Sequence, residues 1–156
     1  MFIRKTVQGI ILVKGKIYNL YEDADPAPPL HPNCRCEIEV MKSVLAGFGT
    51  KDGINGADWW IKYNGNLPDY YIGKEDLYIL GYKWRKPPRK YAPGMMVYGG
   101  TYENKDGHLP AAPGRIWYEA DINYYEGQRN NHRIVWSNDG LIFVTYDHYH
   151  RFYEIS

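Results

Sequence analysis

The stretch that decides the fold covers residues 116–123 and reads IWYEADIN. Because successive side chains of a β-strand point to opposite faces, this stretch places Ile, Tyr, Ala and Ile on one face and Trp, Glu, Asp and Asn on the other. The alternation predicts a half-buried strand. It also puts two carboxylates, those of Glu119 and Asp121, on the same face of that strand.

The residues on the C-terminal side of this stretch continue the strand pattern. Apolar runs at 134–136 and 141–146 flank the turn sequence SNDG at 137–140. An Asp-Gly pair between two apolar runs is typical of a β-hairpin. Residues 151–155 predict a last strand, so the C-terminal part of the chain is expected to form an antiparallel sheet.

On the N-terminal side the period changes to that of helices. Residues 57–63 place Ala57, Trp60 and Ile61 on one helical face, and residues 74–80 predict a second short helix with both of its leucines inward. A glycine follows each segment, as expected where a helix ends. Short helices followed by an antiparallel sheet predict an α+β domain in which the helices pack on the sheet.

Four glycines around residue 50 indicate a domain boundary there. Residues 50–156 are expected to form the α+β domain, and residues 1–49 a separate segment. Within that segment, residues 1–21 and 37–40 predict short strands. The proline-rich stretch 23–30 between them predicts an extended connector.

Composition excludes several classes of protein. The chain has 156 residues and a net charge of +1, so no global basic field attracts nucleic acid, and any phosphate site must come from a local cluster. No apolar run approaches the ~20 residues of a membrane span. The apolar run 10–13 is shorter than the core of a secretory signal, which needs ~7–15 residues. Two cysteines do not make a disulfide-built scaffold.

Four residues spread over the C-terminal part carry the chemistry: Glu119, Arg129, Arg133 and His148. A carboxylate, two arginines and a histidine are the parts needed to cleave RNA without a metal. The 2′-hydroxyl of RNA is already a nucleophile held next to the phosphate. An enzyme therefore needs only a base for that hydroxyl, an acid for the leaving oxygen and cations for the developing charge.

Each of these residues also has a plain structural interpretation. Glu119 could pair with an arginine, and the alternation does not settle whether Glu119 or Asp121 is the base; Asp121 could instead position either arginine. His148 could be a general acid or a surface histidine. The two arginines could clamp a phosphate or lie in a solvated turn. Lys74, at the start of the second helix, could point at the same anion or at solvent.

The loop at 97–107 is polar and bounded by glycines. By itself this predicts a turn. Such a loop could also offer backbone N–H groups and one carboxylate to the edge of a base, with an aromatic ring to stack on it. The Gly99-Gly100 pair is only a weak sign of phosphate binding, because no P-loop lysine pattern follows it.

Four segments carry a resemblance to a known family: LPDYYIGK at 67–74, NKDGHLP at 104–110, GRIWYEADINY at 114–124 and TYDHY at 145–149. From about residue 52 to the end, the chain resembles the barnase-like family of bacterial guanyl-preferring ribonucleases. The resemblance implies a fold of three helices and an antiparallel sheet. It also implies transesterification of RNA to a 2′,3′-cyclic phosphate, followed by hydrolysis.

The resemblance further implies a role for each matching residue. Glu119 matches the general base and His148 the general acid. The transition-state cations match Lys74, Arg129 and Arg133. The residues that bind guanine and its phosphate match Tyr102, Asn104, Lys105, Asp106 and Tyr149. Asp106 stands where the family has a glutamate, and the loop is one residue shorter than in the family.

The N-terminal segment carries a second, shorter resemblance. Residues 28–36 read PPLHPNCRC and are similar to the closing motif of phage Mu F-like head-morphogenesis proteins. His31, Cys34 and Cys36 could supply three ligands of a zinc site, which would need a fourth. We expect no metal in the catalytic site itself.

These observations predict a metal-independent endoribonuclease toxin that cleaves single-stranded RNA after guanosine and needs no cofactor. The expected partners are RNA and a barstar-like acidic inhibitor, and the protein is expected to be a monomer without membrane insertion. Delivery in an effector or phage particle would let it act in the cytoplasm of a target cell. One alternative is a phage structural or RNA- or protein-binding module that does not cleave. Another is a nuclease inactivated by its altered loop.

Overall fold

The computed structural model describes residues 43–156 and, before them, the backbone of three short strands. These are β1 (Ile10–Val13), β2 (Lys16–Asn19) and β3 (Glu39–Val40). They form an antiparallel sheet in the order β2-β1-β3. The sequence-based prediction of short strands in the N-terminal segment is confirmed at these positions. The predicted connector and the three potential zinc ligands lie outside the described residues.

The chain divides into two compact units. One contains Glu103–Arg115 together with the three short strands. The other contains Val44–Tyr102 and Ile116–Ser156. The larger unit holds the main sheet and both α-helices.

Seven strands form the main sheet, in the order β4-β10-β9-β8-β7-β6-β5. Their bounds are Ser43–Val44 (β4), Tyr71–Gly73 (β5), Met96–Tyr102 (β6), Trp117–Asp121 (β7), Arg133–Ser137 (β8), Ile142–Thr145 (β9) and Tyr153–Ile155 (β10). The predicted hairpin is confirmed: β8 and β9 pair around the SNDG turn, where Gly140 has a φ of 100°.

One edge of this sheet departs from the antiparallel prediction. Strands β6 to β10 pair antiparallel with their neighbours, but β5 pairs with β6 in parallel. A parallel pair needs a long crossover connection, and the chain supplies one in residues 74–95, which include a helix. The α+β class is therefore confirmed, with a mixed sheet in place of a purely antiparallel one.

Two α-helices lie in the described part of the chain, α1 (Ala57–Asn64) and α2 (Lys74–Ile79). Gly65 follows α1 with a φ of 71°, the left-handed conformation that ends many helices. Two short 3-10 helices cover Gly53–Asn55 and Pro88–Lys90. No helix of the described residues has both the length and the apolar character that crossing a membrane requires.

The main core lies between α1 and one face of the sheet. From α1 it takes Ala57 and Ile61, as predicted. The sheet contributes Ala120, Ile122, Ile134, Ile142, Val144 and Ile155. Two predictions about inward residues are wrong. Trp60 is 37% exposed, because the buried side of α1 consists of Ala57, Asp58 and Ile61. Leu80 is 54% exposed, because α2 ends one residue before it.

Asp58 is a fully buried carboxylate with three hydrogen-bond donors. The backbone N–H groups of Gly47 and Gly49 donate to it at 2.7 and 2.9 Å, and the hydroxyl of Thr50 donates at 3.0 Å. Just upstream, Val44 accepts from the N–H of Ser156 at 2.9 Å. Residues 44–50 are thereby fixed to both α1 and the last strand.

Candidate active site

Glu119 lies on the interior strand β7, opposite Val135 of β8 and Gly100 of β6. Its side chain is half-buried, and the phenol of Tyr149 donates a hydrogen bond to its Oε2. The register of β6 against β7 shifts between Tyr98 and Gly100, which leaves Gly99 as the irregular residue. A carboxylate at this place is accessible and held in one orientation.

Gly99 makes room for that carboxylate. A Cβ atom on residue 99 would lie 2.9 Å from Cγ of Glu119, closer than Cβ atoms approach other atoms in folded proteins, and 3.0 Å from Oε1. The Gly99-Gly100 pair, a weak phosphate signal in the sequence, therefore has a different role here. It places the backbone of β6 directly against Glu119.

Asp121, two residues further along β7, has quite different surroundings. Its side chain is 1% exposed, and it accepts two hydrogen bonds from Arg129, from Nε at 2.6 Å and from Nη2 at 2.7 Å. The Nε of Arg133, across the β7–β8 pair, lies 3.0 Å from Asp121 Oδ1, the oxygen that also accepts from Nη2 of Arg129. The sequence left open whether Asp121 is a base or positions an arginine. In the structure Asp121 contacts Arg129 and Arg133 and so positions both arginines.

The two arginines share this single carboxylate, so the cluster carries one positive charge in excess. Arg133 is buried and also donates from Nη1 to the carbonyls of Asn130 and His132, each at 2.7 Å. Burial by itself would lower the pKa of Arg129, but the hydrogen bonds and negative charge of Asp121 raise it above its ordinary value. Both guanidinium groups are thus fixed and charged before any ligand arrives.

His148 and Tyr149 lie in a tight loop after β9. Both have positive φ angles, 57° and 71°, which is uncommon for residues other than glycine and for two in succession. The loop is held by the N–H of His148, which donates to Asn131 at 3.1 Å, and by that of Tyr149, which donates to Thr145 Oγ1 at 3.0 Å. His148 is exposed, and its ring meets the Tyr149 ring edge to face at 4.9 Å.

Tyr149 connects the histidine, the glutamate and an aromatic platform. Its ring stacks on that of Tyr102, with centroids 5.1 Å apart and planes 15° from parallel. Burial, followed by the hydrogen bond to Glu119, raises the pKa of the Tyr149 phenol well above its ordinary value. The phenol therefore remains a donor to Glu119 over the physiological pH range. Tyr102, at the end of β6, leads toward the loop at 103–107.

Lys74 is exposed and is the first residue of α2. It follows Gly73, which pairs with Tyr98, which in turn pairs with Ala120. Since neighbouring strands lie about 4.8 Å apart, the backbone of Lys74 starts roughly 10 Å from β7. The sheet therefore places the start of α2 two strands away from Ala120, the residue after Glu119.

The other expected substrate-binding residues belong to the smaller compact unit. Asn104 fixes its own loop: its Nδ2 donates to the carbonyl of Leu109 at 2.9 Å, and its Oδ1 accepts from the N–H of Leu109 at 3.0 Å. Lys105 forms an exposed ion pair with Glu103 at 2.9 Å. Asp106 is exposed. The side chain of Asn104 is thus occupied within the loop.

Sequence reasoning missed two features of this site. The bulge at Gly99 had a signal, the adjacent glycine pair, but nothing in the chain indicated that Glu119 is what it meets. The positive φ angles at His148 and Tyr149 could not be predicted from the sequence, because neither a histidine nor a tyrosine requires that conformation.

Comparison with known proteins places the chain in a family. Residues 50–156 match the ribonuclease family. A ribonuclease of Bacillus pumilus is 42% identical over 130 residues, covering 81% of this chain and 78% of the relative. A ribonuclease of Bacillus intermedius is 46% identical over 148 residues (93% and 90%), and one of Heyndrickxia coagulans is 45% identical over 111 residues (70% and 99%). The 148-residue match is longer than 50–156, so this similarity includes part of the N-terminal segment. The chain belongs to the ribonuclease family.

Proposed function

We propose that this protein is an endoribonuclease in which Glu119 is the general base and His148 the general acid. The observation that carries the proposal is the hydrogen bond that Tyr149, the residue after His148, donates to Glu119. Tyr149 thus contacts both an accessible carboxylate, through its phenol, and an exposed imidazole, through its ring. Two proton-transfer groups across a small space are what cleavage of a phosphodiester by the 2′-hydroxyl needs.

In the first step, Glu119 removes the proton of the 2′-hydroxyl as the 2′-oxygen attacks phosphorus. The bond from phosphorus to the 5′-oxygen of the next nucleotide breaks, and the imidazolium of His148 protonates that oxygen. The product is a 2′,3′-cyclic phosphate. In the second step the roles reverse: neutral His148 removes a proton from water, water opens the cyclic phosphate, and Glu119 returns its proton to the 2′-oxygen.

The arginine cluster stabilises the negative charge that grows on the phosphate oxygens. Arg129 and Arg133 are fixed by Asp121, so they need no rearrangement when the charge develops. Lys74 adds a third cation from the start of α2. These groups supply the charge stabilisation that a metal ion gives in other nucleases. The reaction is therefore proposed to be metal-independent.

Base stacking is proposed to use the Tyr102–Tyr149 pair, and the family resemblance assigns contacts with the edge of guanine to residues 104–106. A stacked pair of rings offers a platform on which a base can lie. Lys105 and Asp106 are exposed and could meet the edge of a guanine, with Asp106 as the acceptor. Because the side chain of Asn104 is bonded to Leu109, its contribution would come from the backbone that this bond shapes.

The test is to incubate the pure protein in EDTA with a guanosine-containing dinucleotide and to follow the 2′,3′-cyclic product. Glu119→Ala and His148→Ala should each lower turnover by about 10²–10⁴-fold, the usual contribution of a positioned acid or base. Circular dichroism should show an unchanged fold in both. Turnover by either variant at the wild-type rate would refute the assignment. Binding of RNA without any product would favour the non-catalytic module instead.

A wider role follows from the proposed activity. A ribonuclease of this kind would act as a toxin, and the cell that makes it would need a barstar-like acidic inhibitor over the Arg129, Arg133 and His148 region. The resemblance of residues 28–36 to a phage head protein supports delivery in an effector or phage particle. Gel filtration of the protein alone, where we expect a monomer, and with a candidate inhibitor would test the partner.

A further inference from the structure

A strongly basic segment lies outside the proposed catalytic groups. Residues 83–90 read KWRKPPRK, with five cations, no acidic residue and one tryptophan. The whole chain carries a net charge of only +1, so this is a local concentration of positive charge. None of its residues takes part in the reaction proposed above.

Hydrogen bonds attach this segment to the loop that leads into the arginine cluster. The side chain of Gln128 donates to the carbonyl of Arg85 at 2.7 Å. Arg89 donates from Nε to the carbonyl of Met95 at 3.2 Å and from Nη1 to the carbonyl of Tyr125. Since Gln128 immediately precedes Arg129, the segment is held next to a residue that is itself bonded to Asp121.

The side chains of the segment nevertheless face solvent. Trp84 is 63% exposed, and the four cations Lys83, Arg85, Lys86 and Lys90 are exposed as well. Arg85 has a φ of 64°, a strained value for an arginine, so the neighbouring bonds fix the backbone at this point. The Trp84 indole therefore contributes little to the core and is available to stack on a ligand between the neighbouring cations.

An open depression of about 470 Å³ adjoins the segment. Arg89, Lys90 and Tyr125 line it, together with Glu126 and Gly127. The Arg89 guanidinium lies 5.7 Å from the centre of the Tyr125 ring. The phenol of Tyr125 donates to Asp52 at 2.8 Å, which fixes the ring in place. The lining thus offers cations and a second half-exposed aromatic ring, opposed by one carboxylate.

We propose that residues 83–90 and 125–128 form a second RNA-binding surface, which takes nucleotides beyond the two that flank the cleaved bond. Trp84 would stack on a base, while Lys83, Arg85, Lys86 and Lys90 would meet phosphates. This inference rests on the proposed ribonuclease function. RNA fits better than an acidic protein, because alternating cations and a flat exposed ring match a strand that alternates phosphates with bases.

The surface predicts a dependence on substrate length. Trp84→Ala should leave turnover of a dinucleotide unchanged and lower kcat/KM for an oligonucleotide of about ten nucleotides by roughly tenfold, the usual effect of losing one base–aromatic stack. The double variant Lys83→Ala/Lys86→Ala should reduce the slope of log affinity against log salt by about 1.4, since each cation on single-stranded RNA contributes about 0.7. Glu126→Gln should act in the opposite direction and strengthen binding.

Trp60→Ala is the matched control, because Trp60 is a partly exposed tryptophan on α1. It should change neither substrate. An equal loss on dinucleotide and oligonucleotide for Trp84→Ala would overturn the proposal, and so would no loss on either. If Trp84→Ala bound polyglutamate more weakly than the wild type but bound RNA equally well, the surface would be assigned to an acidic protein instead.

Failure of this inference can be told apart from failure of the proposed function. Binding of a 2′-deoxy-substituted oligonucleotide of the same length, measured by fluorescence anisotropy, does not depend on cleavage. A wild-type protein that cleaves nothing would refute the ribonuclease proposal. A wild-type protein that cleaves, with Trp84→Ala identical to it in both assays, would refute only the second surface.

Discussion

Glu119 and Asp121 stand two residues apart on the same face of β7, and their surroundings are opposite. Asp121 is 1% exposed and bonded to two arginines. Glu119 is half-buried, its bonded partner is a phenol, and its backbone neighbour is a glycine. One carboxylate is enclosed by permanent positive charge, and the other is open on the side where a substrate can approach.

The difference separates the carboxylate that holds the two arginines, Asp121, from the one proposed as the general base, Glu119. Both oxygens of Asp121 face guanidinium groups, so this carboxylate is fully occupied by the two arginines. The carboxylate of Glu119 accepts its hydrogen bond from one neutral phenol, that of Tyr149. Sequence alternation places both on one face but cannot reveal which has the arginines.

The largest expected effect comes from removing the structural carboxylate. Asp121→Ala would leave buried Arg133 without its ion pair and Arg129 without both of its hydrogen bonds to Asp121. We expect the free energy of unfolding to fall by about 3–5 kcal/mol, the usual cost of breaking a buried pair from one side. Urea denaturation measures it. Asp106→Ala, an exposed aspartate, is the control and should change stability little; a similar small change for Asp121→Ala would contradict the comparison.

The next largest effect is expected from a substitution that crowds Glu119, the proposed general base. Gly99→Ala would put a methyl group 2.9 Å from Glu119 Cγ, so the side chain must move. We expect turnover of the dinucleotide to fall by about 10²-fold, as displacements near 1 Å do in active sites. Gly73→Ala is a matched control, because a Cβ there meets only Asp76 Oδ2 at 3.5 Å. Equal rates for the two variants would show that the position of Glu119 is not critical.

The smallest effect concerns a third carboxylate, Glu154 on β10. Burial raises its pKa to about 7, opposed only partly by Lys62. In the unfolded chain a glutamate titrates near 4.3, so between about pH 4.5 and 7 the folded protein binds a proton that the unfolded chain has lost. The free energy of unfolding should therefore fall as pH rises through this range.

Glu154→Gln should remove this part of the decline and stabilise the protein at pH 8 by on the order of 1 kcal/mol. Thermal unfolding at pH 5 and pH 8 measures the change, with Glu75→Gln on the exposed side of α2 as control. An unchanged pH profile for Glu154→Gln would mean that burial does not raise the pKa of this carboxylate above that of an exposed one.

Much of the fold could be predicted from the sequence, because its signals are local. The alternation at 116–123, the Asp-Gly turn and the glycine after α1 each depend on a few adjacent residues. The errors arose where tertiary packing decides. Trp60 has the correct period for burial but lies at the margin of the buried stripe, and Leu80 lies just beyond the end of its helix. The parallel pairing of β5 had no local signal either.

The candidate site was predictable as a set of residue types and less so as an arrangement. Glu119, Asp121, the two arginines and His148 could all be named from the chain. The division of labour between the two carboxylates required the positions of the arginine side chains, which depend on the loop at 125–132. That loop and the basic segment meet only in three dimensions. Sequence alone could therefore not connect residue 85 with residue 128.

The attachment of residues 44–50 to the last strand has a consequence for any shortened form of the chain. A cut at residue 50 would keep every proposed catalytic residue but remove β4, leaving the edge of β10 open to pairing with other chains. It would also remove Gly47 and Gly49, so that Thr50 alone would face the buried charge of Asp58. A shortened form that keeps this edge of the sheet closed should therefore begin before β4 and not at residue 50.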